Sequence, residues 1–197
     1  MGEVFRGKIP IVEICTASHH SAIPILEEAF SRAKSKRRVF LAQALAIFES
    51  PAGVMALIAE IERHLANGIL PQRTSRVLYT QLPPDQGAMP DVVYLIYSLG
   101  MTRDERSLTV WDKVAELLSP VEKDFRDPYK GTFYYVDAVC YGAELLGYRK
   151  AISILNKIHA HACLRNQTVQ NSLQPDFILE RQAMLELAIG RALARCG

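Results

Sequence analysis

Ile152-Ser153-Ile154-Leu155-Asn156-Lys157-Ile158 carries a pattern that the chain uses four times. An apolar residue is followed by any residue, two apolar residues, two spacers and a small or apolar residue. The other copies are Ile23-Pro24-Ile25-Leu26-Glu27-Glu28-Ala29, Met55-Ala56-Leu57-Ile58-Ala59-Glu60-Ile61 and Leu108-Thr109-Val110-Trp111-Asp112-Lys113-Val114. Matched positions 25, 57, 110 and 154 lie 32, 53 and 44 residues apart, a mean of 43. A helical pattern returning at about 20–50 residues marks arrays of helix pairs, in which each unit buries its apolar face only against its neighbours. The repeat speaks to architecture and names no reaction.

Each copy is the second helix of a pair. In the second unit, Val54, Leu57, Ile58, Ile61 and Leu65 make one apolar helical face. A first helix from about Arg37 to Phe48 puts Leu41, Ala44, Leu45 and Phe48 on one side, and Glu49-Ser50-Pro51-Ala52-Gly53 is the turn. In the third unit, Asp91 is placed to cap a helix starting at Val92. Leu99-Gly100 is placed to stop it, the glycine taking the left-handed conformation. The next helix continues to Leu118. The fourth unit has the same stop at Leu146-Gly147, then a second helix from Ala151 to about Leu164. Aligning the two Leu-Gly pairs sets Val92-Val93-Tyr94 over Val139-Cys140-Tyr141, so first helices repeat as well.

The fold expected is all-α: an α-α superhelix, or solenoid, of about four helix pairs, with Phe177 to Arg195 as a C-terminal capping helix. Residues 1–197 form a single domain. Its first unit is short, with Ile9–Thr16 as its first helix. Gly68–Pro90 (with a helix around Thr74–Leu82), Ser119–Thr132 and Asn166–Pro175 interrupt the period as insertions. Alternating apolar runs bounded by hairpin turns are scarce, so strands find little support.

Composition sets the class. Hydrophobic residues make up 49% of the chain, too many for disorder. No run approaches the roughly 18 apolar residues of a membrane span, and no apolar signal-peptide core is visible. A net charge of +2 gives little electrostatic footprint for nucleic acid. Cys15, Cys140, Cys163 and Cys196 form no C-x-x-C motif and read as buried thiols of a reducing, cytoplasmic setting. Asn166-Gln167-Thr168 is a formal glycosylation sequon.

The segments Leu99-Gly100 to Trp111 and Leu146-Gly147 to Leu155, with Ser21-Ala22-Ile23-Pro24-Ile25-Leu26, resemble HEAT-like repeats, whose second helices begin Ala-hydrophobic-x-x-Leu. The likeness covers nearly the whole chain and implies an armadillo-like, right-handed superhelix. Met89 to Leu118, Tyr135 to Leu155 and the ending Leu187 to Cys196 also look like the helical C-terminal region of bacterial FAD-dependent oxidoreductases. That likeness implies an accessory domain of a larger flavoenzyme. It transfers no flavin site, since the chain has no G-x-G. No cofactor is expected in this chain, and FAD only in a parent protein.

Function is therefore expected to be non-catalytic: a scaffold binding a protein partner or another domain of the same polypeptide. The contact face is assigned to Tyr94, Tyr97, Tyr134, Tyr135 and Tyr141, because tyrosines on stacked helices serve as interface anchors. The opposing reading is core packing with each hydroxyl bonded. Two alternatives come from other classes. A metal-dependent enzyme would use His159 and Cys163, which share a helical face at i, i+4, while His161 points away. Nucleic-acid binding would use Arg32, Lys34, Lys36, Arg37 and Arg38, a basic cluster without interleaved aromatics. Neither a G-x-S-x-G elbow nor a phosphate-cradling glycine loop is present. Thus no catalytic or metal-binding residue is assigned.

Overall fold

The computed structural model describes residues 20–71, 90–118, 132–161 and 175–197. Among them all regular structure is helical. The α-helices are α1 (Ile23–Arg32), α2 (Ser35–Ile47), α3 (Val54–His64), α4 (Asp91–Met101), α5 (Ser107–Leu117), α6 (Thr132–Leu146), α7 (Ala151–His159) and α8 (Pro175–Cys196), with short 3-10 turns at His20–Ala22 and Pro51–Gly53. The expected helices at Ile9–Thr16 and Thr74–Leu82 lie outside the described residues, as do Cys15, Cys163 and the sequon.

Two rows of helices form. In the first, α2, α4, α6 and α8 each pack on the next; in the second, α3, α5 and α7 do the same. Contacts between α2, α3 and α4 and between α7 and α8 join the rows, and α1 packs on α2. The second row consists of helices with one apolar stripe. α3 buries Val54, Leu57, Ile58 and Ile61, and α7 buries Ala151, Ile154, Leu155 and Ile158. Each such fully buried Leu or Ile contributes on the order of 1.5–3 kcal/mol. First-row helices are enclosed on more sides. α4 buries Val92, Val93 and Leu95 through Gly100, most of its length.

Helix ends correct the sequence reading. Gly100 does not stop α4. It lies inside the helix, buried against α6, and a Cβ placed on it would sit 2.6 Å from the Gly142 Cα. The left-handed residue after α4 is Arg103, at φ 52°. Glu49 after α2 (φ 59°) and Gly147 after α6 (φ 61°) occupy the same place. These three residues are 54 and 44 apart, against 53 and 44 for the apolar pattern of the second helices. Tyr97 therefore corresponds to Tyr141, where the Leu-Gly alignment had paired Tyr94 with it. Asp91 sits in the first turn of α4 and not at the cap before it; Pro90 precedes the helix and makes no side-chain cap. α7 ends at His159, short of Leu164. No described helix is long and apolar enough to cross a membrane.

Candidate functional site

Three helices leave a cleft of about 1020 Å³ between them. From α2 come Lys36, Val39, Phe40 and Gln43, from α3 Ala56, Ala59, Glu60 and Arg63, and from α4 Asp91, Tyr94 and Leu95. Each set follows the i, i+3, i+4 spacing that places residues on one helical face. On α3 this is the face away from Val54, Leu57, Ile58 and Ile61, so the helix has one stripe for the core and another for the cleft. Small Ala56 and Ala59 keep the cleft open, and Phe40 and Leu95 supply apolar wall.

Charges line its edge. Glu60 accepts from Arg63 Nε at 3.0 Å and Nη2 at 2.6 Å. The Arg63 guanidinium holds the Glu60 carboxyl below its ordinary range. Gln43 Nε2 lies 3.4 Å from Ser98 Oγ, which itself donates to the Tyr94 carbonyl at 2.8 Å. That chain of bonds joins α2 to α4 at the back of the cleft.

A second polar group is buried between α4, α6 and α8. Tyr97 donates its hydroxyl to Asp137, and its ring meets Tyr141 at 5.7 Å between centroids. Burial above all raises the Asp137 carboxyl from its usual value; the Tyr97 hydroxyl and Arg191 pull it back, and Glu144 pushes it up. Arg191 Nε reaches Glu144 at 3.3 Å. Cys140, one turn from Asp137, is fully buried, and burial pushes its thiol well up. Such a thiol is a poor nucleophile, since reactivity needs the thiolate.

The five tyrosines do not share one surface. Tyr94 faces the cleft and is half-buried. Tyr97 is 7% exposed and Tyr135 0%, which takes both off any contact face. The Tyr135 hydroxyl instead donates to the Pro71 carbonyl, tying α6 to the chain leaving α3. Tyr134 stacks edge-on against Phe133 and stays half-buried, as does Tyr141. For Tyr97 and Tyr135, core packing with bonded hydroxyls is what the structure shows.

The alternative sites disperse. His159 Nε2 lies 2.8 Å from Glu186 Oε2, and Cys163 lies outside the described residues. Among those described, no group of three or more His, Cys, Asp or Glu could hold a metal ion. The basic cluster divides between the end of α1 and the start of α2. Arg32 pairs with Glu28 on its own helix. Arg38 donates to the Phe30 carbonyl at 3.1 Å and lies over the Phe30 ring at 4.1 Å. Lys36 and Arg37 remain exposed in the first turn of α2.

Sequence reading passed over the cleft residues. Their signal was present as the second stripe of α3, where small and charged residues at 56, 59, 60 and 63 repeat at helical spacing opposite the core stripe. Asp137 gave no signal, because its partner Tyr97 is 40 residues away. Compared with protein families, curated proteins and solved structures, the chain matches none.

Proposed function

We propose that this chain is a non-catalytic scaffold, a superhelix of HEAT-like helix pairs that binds a protein partner in the cleft between α2, α3 and α4. The cleft carries the reading. It is an apolar trough with ionic edges, walled by rigid helices, and this is the form of site that takes an amphipathic helix from a partner. The spacing of the left-handed residues 49, 103 and 147, which matches that of the apolar stripes to within one residue, supports the repeat. Buried free thiols at Cys140 and Cys196 support a reducing setting. The occupant inferred is a helical segment with an apolar stripe and an acidic residue directed at Lys36, an exposed cation at the α2 edge of the cleft. Its likeness to flavin-dependent oxidoreductases makes a flavin-carrying domain the first partner to try.

Helical peptides selected for binding to the intact chain test the reading. Ala59→Trp fills the cleft from α3 and should abolish binding, while Ser153→Trp on exposed α7 surface should leave it unchanged. Tyr94→Ala should weaken binding by about tenfold, the usual scale for one aromatic anchor. Peptides that bind Ala59→Trp as well as the parent would remove the cleft from the reading.

A further inference from the structure

The outer face of α8 is not that of a solvated cap. Its inner stripe, Leu185, Ala188, Ile189, Ala192 and Cys196, is buried. Its outer stripe, at positions 180, 183, 184, 187, 190, 191, 194 and 195, is exposed. A helix that buries one stripe and leaves the opposite one to solvent ordinarily carries polar and charged residues there. Here the middle of that face is Ala183, Met184, Leu187 and Gly190, with Met184 53% and Leu187 61% exposed. Charges come only towards its ends, Glu180 on one side and Arg191 and Arg195 on the other. A Cβ on Gly190 would meet nothing within 4 Å, so a notch is open there.

We propose that this face binds the same face of a second copy, with the two α8 helices antiparallel about a two-fold axis at Leu187. In such a pair, residues on opposite sides of the centre meet. Leu187 meets its own copy. Ala183 faces Gly190, two small positions that let the helix axes come to about 8 Å. Met184 lies along the aliphatic stem of Arg191, whose head is already turned to Glu144. Glu180 meets Arg195, and by symmetry this happens twice. Charge selects this arrangement. A parallel pair would set Glu180 on Glu180 and Arg195 on Arg195, like against like. The antiparallel pair turns both into opposite-charge contacts, which fixes register more than it adds affinity.

Sedimentation equilibrium of the full chain tests this. A dimer is expected at about 50 μM, falling apart on dilution. Leu187→Glu should be monomeric at that concentration with unchanged far-ultraviolet circular dichroism. Glu180→Arg and Arg195→Glu should each raise the dissociation constant by about tenfold, and the two together should restore it. Geometry is read separately by oxidation in a chain with Cys15→Ser and Cys163→Ser. Leu187→Cys should cross-link to its own copy. Glu180→Cys should not, since 14 residues of helix put the two sulfurs about 21 Å apart in the antiparallel pair. A monomeric parent chain overturns the proposal, and so does a dimer that survives Leu187→Glu. Cross-linking at both positions overturns the antiparallel geometry.

Discussion

Gly100 and Gly142 bring α4 and α6 together at backbone distance, and this contact explains both glycines without any appeal to a turn. A methyl group on Gly100 would lie 2.6 Å from the Gly142 Cα, so the helices themselves would have to separate. Gly100→Ala should therefore destabilise the protein by roughly 1–3 kcal/mol, despite alanine's better helix propensity. In a chain of this size, that is about 2–4 °C of melting temperature per kcal/mol. On Gly142 the new methyl would also lie 2.5 Å from Trp111 Cζ2. Trp111→Phe removes that ring atom, so the Gly142→Ala and Trp111→Phe penalties should be less than additive in a double-mutant cycle. Fully additive penalties would show that the ring is not the obstacle. Asp137 sets a second test at this scale. Its carboxyl is raised mainly by burial, so the native state holds its proton to higher pH than the unfolded chain does. The resulting stability is present below the unfolded carboxylate value and lost as pH rises through the raised native value. Asp137→Asn keeps an acceptor for Tyr97 and removes the charge. Urea unfolding across the acid-to-neutral range should show it more stable than the parent near neutral pH, with a flatter dependence. Tyr97→Phe leaves the half-buried Asp137 carboxyl without its donor and should cost about 1 kcal/mol.

At the level of helices, the second row was legible in the sequence and the first row only in part. α3, α5 and α7 bury a single stripe, and a single stripe imposes a period of 3.6 on the residues. α4 and α6 meet neighbours within their own row as well as the second row, so apolar residues fall all around them and the period blurs. That is why Leu99-Gly100 reads as a stop in the sequence alone: the residues around it do not show which side is buried. Terminations of this row rest instead on the left-handed residues. At Gly147 the conformation suits the residue; at Glu49 and Arg103 it is strained for a side chain. The two strained residues form an ion pair at 2.7 Å, which joins the ends of α2 and α4. Substitution should have opposite signs at equivalent positions. Gly147→Ala should lower stability by about 1 kcal/mol. Arg103→Gly relieves the strain and gives up only an exposed ion pair worth about 0–1 kcal/mol, so its denaturation midpoint should hold or rise. A loss at Arg103→Gly as large as that at Gly147→Ala would mean that the ion pair, and not backbone conformation, holds this end of the helix.

Across the whole molecule, the row arrangement makes stability uneven. The sequence carried the all-helical class and the positions of helices within the described residues, because both follow from local spacing. It did not carry the cleft or the Tyr97–Asp137 bond, because each joins residues on helices distant in the chain. Those distant joins determine which parts hold. α6 lies between α4 and α8 and packs on both, whereas α1 packs chiefly on α2. Phe30 is the one residue that α1 buries, while α4 buries most of its length. In an array held by neighbour contacts, the helix with fewest contacts opens first and can do so without its fellows. Amide hydrogen exchange should therefore rank α1 fastest, and α4 and α6 slowest. Phe30→Ala should widen the gap. It removes the aromatic anchor of α1 and the ring beneath Arg38, so α1 amides should lose protection while those of α4 and α6 keep theirs. Equal loss in α6 would mean that the chain opens as one cooperative unit, and the neighbour-by-neighbour account of its stability would then be wrong.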